Sequence, residues 1–199
     1  MGGNMANVSE KFGLRPYRTL GGHSWNNQQN RYTISNNYGT AIFQGDLVIP
    51  ATDGDIERHT AGNGQAVLGV FNGCFYTDPT TKKPTFSNYY PGSIAADDIV
   101  ANVIDDPNTL FLIDADAAFT RAGLFTNYSV TNVTGNTDTG ISKVQLDVSE
   151  VSTSFSFALM AVDISQDVNN EDTGNANANV VVRINNHFYQ QNNNADTGV

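Results

Sequence analysis

The sequence predicts a mainly β fold, either an antiparallel β-sandwich or a partly open β-barrel, with an extended N-terminal arm and at most one or two short helices. Apolar and polar residues alternate strictly in several short segments, as in strands with one buried face. Only 15% of the 199 residues are charged, whereas Asn, Thr, Ser and Gly are abundant. These neutral polar residues suit turns and strand edges better than helices.

The first strand signal lies between Thr40 and Pro50. Ala41, Phe43, Leu47 and Ile49 fall on one face of an extended segment, which predicts a half-buried strand that ends at the proline. A turn-rich segment, 51–64, follows it.

A second apolar run, 67–75, opens an aromatic-rich hairpin. The polar segment 78–84 contains two prolines and separates this run from a further group of aromatic residues, which is typical of a long hairpin loop. The aromatic side chains either fill the core or form an interface, and they are Phe75, Tyr76, Phe86, Tyr89 and Tyr90.

The middle of the chain predicts two more strands, 99–104 and 109–113, and one helix. The segment 114–124, DADAAFTRAGL, is the best helix candidate, with Asp114 as its N-cap and Gly123 near its end.

Alternation is cleanest near the C-terminus. It predicts strands at 143–148 and 154–159, and a last strand at 180–188 after the polar loop 167–179. The tail 190–199 has no large apolar residue before its final valine to anchor it, so we expect it to be mobile.

The first 38 residues differ from the acidic remainder. They carry four cations against the single acid Glu10, with three aromatic residues interleaved. We therefore divide the chain into an extended arm, 1–38, a β-rich body, 39–189, and the tail. The arm suits docking along another protein's surface, through the candidate residues Arg15, Tyr17, Arg18, Trp25, Arg31 and Tyr32.

Composition disfavours several partners and compartments. The net charge of −10 disfavours nucleic acid, because phosphate binding needs clustered Lys and Arg. No apolar run reaches the length of a signal peptide or a membrane span, so we expect a soluble, unexported chain without a membrane partner. Cys74 is the only cysteine, and we expect it to be a small core residue.

The sequence contains no recognisable catalytic or metal-binding motif. His23, His59 and His187 stand far apart, and we expect polar surface positions for them. The acidic segment from Asp53 to Glu57 alternates like a calcium loop but lacks the required glycine placement, so solvated turns are the better interpretation. We expect no cofactor, no metal and no enzymatic activity.

The order of four segments resembles that of a family of viral proteins. A polar arm with GLRP at 13–16 precedes GTAIFQGDLV at 39–48, then AVLGVF at 66–71, and finally VVVRINNH at 180–187. This order resembles the capsid decoration, or cement, proteins of tailed bacteriophages, and its β-rich core is similar to lambda-type head decoration proteins.

The resemblance implies a non-enzymatic virion protein that is assembled in the host cytoplasm and bound to the capsid exterior. It implies the major capsid protein as partner, whose contacts the protein would reinforce, and a homodimer or homotrimer as the bound form. No catalytic residues carry over. In this hypothesis the arm adds a strand to a neighbouring sheet edge while its arginines pair with carboxylates.

Two alternatives remain open. Exposed aromatics and abundant Asn suit a phage tail or fibre module that recognises surface glycans. Scattered carboxylates and histidines leave a β-sandwich hydrolase or lyase as the third and weakest hypothesis.

Overall fold

The fold is mainly β, as predicted: two antiparallel sheets pack together as a sandwich, without a closed barrel. The structure is a computed structural model and describes residues 7–62, 64–166, 170 and 175–190. In chain order, the strands are β1 (Arg15–Thr19), β2 (Asn30–Thr33), β3 (Leu47–Pro50), β4 (Ile56–Arg58), β5 (Gly69–Thr77), β6 (Pro84–Ser87), β7 (Val100–Ile104), β8 (Thr109–Asp114), β9 (Asn127–Val130), β10 (Leu146–Ser152), β11 (Leu159–Ile164) and β12 (Asn179–Ile184).

Each sheet contains six strands. The first sheet has the order β1-β8-β12-β11-β9-β10. The second has the order β2-β7-β5-β3-β4, and β6 pairs with β5 beside that path. Since β5 is long, its first half pairs with β3 and its second half with β6. Among the described residues, no helix is long and apolar enough to span a membrane.

The core has two parts because the second sheet buries side chains on both of its faces. Val70 and Ile104, paired across β5 and β7, pack with residues of the first sheet between the two layers. On the opposite face Phe71, Val103 and Cys74 belong to a separate apolar cluster that the second sheet surrounds. Cys74 is buried, as predicted.

The face of the second sheet that carries Val70 and Ile104 extends past the area that the first sheet covers. A bulge between Phe71 and Cys74 shifts the register of β5 against β7, and after it Phe75 pairs with Val100 on the same face as Val70 and Ile104. The side chains of Phe75 and Val100 are only partly buried. This uncovered part is called the outer face below.

The predicted helix 114–124 is wrong. Only Arg121–Gly123 forms a 3₁₀ turn. The amide of Ala115 donates to Ala178, and the amide of Asp116 donates to Leu146, so these groups bond to neighbouring segments of the sheet instead of forming helical bonds. Tertiary pairing overrides the local helix propensity of this alanine-rich segment.

Two predicted strands are shifted or shortened. The segment 154–158 is a loop in which serine hydroxyls accept backbone hydrogen bonds, and the strand begins only at Leu159. Before Leu47, the strand predicted from Ala41 forms isolated bridges only, since Gly45 adopts a positive φ of 95° and turns the chain. Pairing confirms the hairpin of β5 and β6, and β7 and β8 agree within one residue with the predicted strands 99–104 and 109–113. Two further predictions hold only in part, since β10 overlaps the predicted strand 143–148 at 146–148 only and β12 ends at Ile184, before the predicted end at 188.

The described part of the N-terminal segment, 7–38, is not an appendage, because it pairs with the body in both sheets. β1 pairs with β8 at the edge of the first sheet, and β2 pairs with β7 at the edge of the second. The proposed division at residue 38 therefore separates strands that share sheets. All of the predicted tail 190–199 except Gln190, and most of the loop 167–179, lie outside the described residues.

Candidate docking site

The outer face of the second sheet carries an open groove of about 590 Å³. This volume lies in the range of sites that accept small ligands or a few side chains of a partner. Its lining is mainly apolar and comes from four strands and one turn: Arg31, Tyr32, Thr33, Gly54, Phe75, Phe86, Val100 and Asn102.

Strand register explains why these residues meet. Thr33 pairs with Val100, Val100 with Phe75, and Phe75 with Phe86, which gives one row of side chains across four strands. Arg31 and Asn102 form the next pair along the same face. Because side chains on one face recur every second residue, the two rows lie roughly 6.6 Å apart.

The apolar end of the groove is a pair of phenylalanine rings. The ring centroids of Phe75 and Phe86 are 4.8 Å apart and the rings are tilted by 55°, within the range of favourable aromatic pairs. Phe86 is nonetheless 78% exposed, more than any other large apolar residue among those described. An exposed ring on a short edge strand marks this end as a contact surface.

The polar end of the groove is cationic. Arg31 is exposed on β2, and its side chain makes no hydrogen bond or ion pair with any other residue that the structure describes. Its cross-strand neighbour Asn102 contributes an amide. A guanidinium next to an amide can bind a carboxylate through several donors.

The third side of the groove is an acidic turn between β3 and β4. The hydroxyl of Ser35 donates to Asp53 at 2.8 Å and to Asp55 at 2.6 Å, and that of Thr33 also donates to Asp55. The Ser35 hydrogen bond lowers the pKa of the Asp53 carboxyl. These bonds hold the turn against β2, with Gly54 on the groove at a φ of 89°.

The edge strand β2 is held in place by hydrogen bonds from Asn30 and Tyr32 to Asp105. The hydroxyl of Tyr32 donates to Asp105 at 2.5 Å and lies 2.9 Å from the hydroxyl of Tyr189, while the Asn30 amide donates to both oxygens of Asp105. Burial and the hydrogen bond to Asp105 raise the pKa of Tyr32. The side chain of Tyr32 therefore lies on the face of the second sheet opposite to the outer face, where its hydroxyl donates a hydrogen bond to Asp105 and holds β2 in place.

The six predicted arm residues are divided between the two sheets. Arg31 and Tyr32 line the groove, whereas the remaining four belong to the first sheet and the crossing between the sheets. The guanidinium of Arg15 lies 4.4 Å from the ring of Phe12, and Arg18 pairs with Asp163 at 3.5 Å.

The other two arm aromatics differ in exposure. Tyr17 is exposed on β1, and Trp25 is half-buried against the core between the sheets. The six arm residues therefore do not lie on one surface of the described fold, and their role in docking stays a prediction.

The five hairpin aromatics also divide. Phe75 and Phe86 face the groove, but Tyr76 and Tyr90 are buried in the core of the second sheet. Tyr89 stacks on Phe43 with ring centroids 5.4 Å apart. Alternation along β5 accounts for the difference between Phe75 and Tyr76, since consecutive residues face opposite sides.

Sequence reasoning missed four residues of the groove: Thr33, Gly54, Val100 and Asn102. Val100 and Asn102 alternate with buried Ala101 and Val103, and this pattern could have shown that they share a face. The local sequence pattern does not indicate that β7 pairs with β2 and β5, which is what brings these residues into the groove.

Two of the three histidines contradict the predicted surface positions. His59 and His187 are buried, and burial lowers the pKa of each to about 4. His23 is exposed, as expected. Burial also raises the pKa of the Cys74 thiol to about 12. Within the described part of the chain, no three or more His, Cys, Asp or Glu side chains form a group that could hold a metal ion.

Comparison with known proteins gives no match to a protein-family model, to a curated protein or to a solved structure.

Proposed function

We propose that this protein is a virion structural protein that binds the outside of a tailed-bacteriophage capsid and reinforces contacts between major capsid proteins. The groove on the outer face is the observation that carries the docking part of the proposal. The phage assignment is supported by the order of the sequence segments at 39–48, 66–71 and 180–187.

An aromatic pair with one exposed ring suits protein recognition when it lies beside an arginine that has no ion-pair partner among the described residues. Aromatic residues and Arg are enriched at the centres of interfaces, where their burial supplies much of the binding free energy. Phe75, Phe86 and Arg31 are of these types and share one side of one sheet. A partner that covers the groove removes the Phe86 ring from water.

Modest affinity at each groove is sufficient for a capsid-bound protein. A homodimer or homotrimer engages several shell subunits at once, so that linkage raises the overall affinity without additional contacts. In this proposal the groove replaces the free arm as the docking element, because β1 and β2 are already paired within their own sheets.

Immunogold labelling of purified phage particles tests the capsid assignment. We expect labelled antibody on the heads. Labelling restricted to tails, or absent from particles that contain the protein, contradicts the proposal.

Co-sedimentation with expanded heads that lack the protein tests the groove. We expect Phe86→Ser to reduce the bound fraction about tenfold, as for the loss of one central aromatic contact. Phe125→Ser is the matched control, because Phe125 is 74% exposed but does not line the groove. Equal binding by both variants removes the groove from the mechanism.

Glycan recognition by a tail or fibre module is the second candidate. The observation that favours it is the position of the Phe75 and Phe86 rings beside Asn102, since sugars pack on rings while amides bind their hydroxyls. A glycan array with wild-type protein and Phe86→Ser tests it, and binding that needs Phe86, together with tail labelling, supports this candidate over the first.

A further inference from the structure

We infer that the groove binds an extended peptide segment carrying an apolar side chain and, two residues away, a carboxylate. This inference rests on the proposed function, in that it assigns the partner's chemistry at the same site. It follows from the order of chemical groups along the groove.

The apolar side chain of the partner fits the row formed by Val100, Phe75 and Phe86. These three side chains lie side by side on adjacent strands, and the ring pair forms one wall. Covering a ring that is 78% exposed gives the strongest gain in apolar burial along the groove.

The carboxylate is assigned by charge complementarity with Arg31. The chain has 20 acidic and 10 basic residues, yet Arg31 has no acidic partner among the described residues. Asp53 and Asp55 in the acidic turn form no ion pair with it, and their carboxylates accept hydrogen bonds from the hydroxyls of Ser35 and Thr33. An acidic group from the partner gives this guanidinium the bidentate contact for which its geometry is suited.

The acidic turn sets the orientation of the segment. Asp53 and Asp55 flank Gly54 at the Thr33 end of the groove, so a carboxylate is repelled there and attracted at the Arg31 end. Arg31 and Thr33 are two residues apart on one strand, roughly 6.6 Å. Phe75 lies two strands across the sheet and one row along from Arg31, roughly 12 Å by strand spacing and residue rise. A carboxylate two residues from the apolar side chain lies roughly 7 Å along an extended peptide, and the long Arg31 side chain can span the remainder, which gives the apolar-x-acidic pattern.

Nuclear magnetic resonance titration of the full chain, labelled with ¹⁵N, tests the pattern with defined probes. The probes are the capped tripeptides acetyl-Phe-Gly-Glu-amide and acetyl-Phe-Gly-Gln-amide. We expect saturable shifts at the amides of Arg31, Val100 and Asn102, with about fivefold tighter binding of the Glu peptide at low salt, as for one exposed ion pair. That preference should decrease as salt is added.

Two pairs of variants assign the two contacts. Arg31→Gln should abolish the preference for the Glu peptide, whereas Arg121→Gln, at another exposed arginine, should preserve it. Phe86→Ser should weaken both peptides, whereas Phe125→Ser should weaken neither. All four residues are exposed, and unchanged shifts elsewhere in the spectrum show that each variant is folded.

Several outcomes overturn the inference. These are no saturable shift at the groove, a preference that survives Arg31→Gln, or binding of methyl β-D-glucopyranoside at the groove without binding of either peptide. A self-association that the Phe86→Ser variant abolishes, with no peptide binding, assigns the groove to a second copy of the chain and also overturns it. If the peptide preference depends on Arg31 but the protein does not bind heads, only the capsid proposal fails.

Discussion

At the scale of single residues, the least exposed carboxylate with a cationic partner is Asp46, which is 1% exposed. It accepts the Phe43 amide at 2.9 Å and the Ser142 hydroxyl at 2.5 Å, and it lies 2.9 Å from Nε of Arg58. Burial raises the pKa of Asp46, although the Arg58 guanidinium opposes this effect. The ion pair thus gains little over an apolar pair, but each partner needs the other.

We predict that Asp46→Ala lowers the free energy of unfolding by about 3 kcal/mol, because it leaves the largely buried Arg58 side chain, 15% exposed, without its carboxylate. Chemical denaturation measures this difference. Asp138→Ala, at an exposed carboxylate, is the control and should change stability by less than about 0.5 kcal/mol. A similar small change for both variants contradicts the assigned role of the buried pair.

Buried histidines predict a loss of stability in acid. His59 and His187 have folded-state pKa values of about 4, below the unfolded value of 6.5, so unfolding takes up protons as the pH falls. The contribution of the two neutral histidines to the free energy of unfolding is complete above pH 6.5. It is lost as the pH falls towards 4, and the loss is about 3 kcal/mol for each histidine. His187→Gln should flatten this slope in denaturation measured from pH 7 to 4, and an unchanged slope contradicts the assignment.

Between pH 4 and 7, Asp114 changes the stability in the direction opposite to that of the two histidines. Burial raises its pKa to about 6, so its contribution is present below the unfolded value of 3.8 and is lost as the pH rises through 6. The wild-type slope is therefore the net result of these opposing effects, and Asp46, whose pKa burial also raises, acts in the same direction as Asp114. Comparing His187→Gln with wild type cancels the Asp114 term, since both proteins retain that residue.

At the scale of elements, the bulge in β5 positions the aromatic pair of the groove. Gly73 has a φ of 113°, and a Cβ there would lie 3.0 Å from the carbonyl oxygen of Ser87 on β6. The bulge keeps Phe75 on the outer face while it brings Cys74 opposite Ala101. A glycine at this position meets the backbone requirement and also permits the close approach of β6.

We predict that Gly73→Ala destabilises the protein by about 1–3 kcal/mol and perturbs the resonances of Phe75 and Phe86. The reason is that β6 must move away from the new methyl group. Thermal unfolding and ¹H–¹³C spectra of the aromatic rings measure the two effects. Gly39→Ala is the control, because its Cβ would meet no atom within 4 Å and its φ is not positive; an equal effect at both glycines contradicts this explanation.

The local sequence pattern predicts a strand correctly when one face of the segment is buried and its backbone forms regular hydrogen bonds with neighbouring strands. The strand with Val182 and Ile184 meets both conditions and was predicted. The predicted helix fails because Ala115 and Asp116 bond to partners 63 and 30 residues away. The predicted strand at Phe155 fails because neighbouring serine hydroxyls satisfy the backbone locally.

At the scale of the whole molecule, the candidate site depends on which strands become neighbours. Arg31, Phe75 and Phe86 could be chosen from the sequence as a cation and aromatic residues suited to an interface. Their placement in one groove follows from pairing β2 with β7 and β7 with β5, over separations of about 25 to 70 residues. Local periodicity contains no information on such pairing, so Val100 and Asn102 could not be assigned to the site in advance.

The N-terminal segment completes both sheets, and its removal should therefore affect the whole fold. β1 and β2 each cover a sheet edge, and Leu14 is buried in the core between the layers. The hydrogen bonds from Asn30 and Tyr32 to Asp105 lie in the same segment. Deleting residues 1–33 exposes the edges of β7 and β8 and leaves Asp105 buried without these donors.

We predict that this deletion abolishes cooperative thermal unfolding or yields an aggregated protein, measured by circular dichroism and size-exclusion chromatography. The matched control keeps the backbone of the segment and replaces only exposed side chains, as in the double variant Arg15→Gln and Tyr17→Ser. The control should unfold cooperatively, within a few degrees of wild type, because main-chain pairing between β1 and β8 is retained. A truncated protein that unfolds as cooperatively as the control would mean that residues 1–33 form a separable arm, and docking by that arm would again be the simpler mechanism.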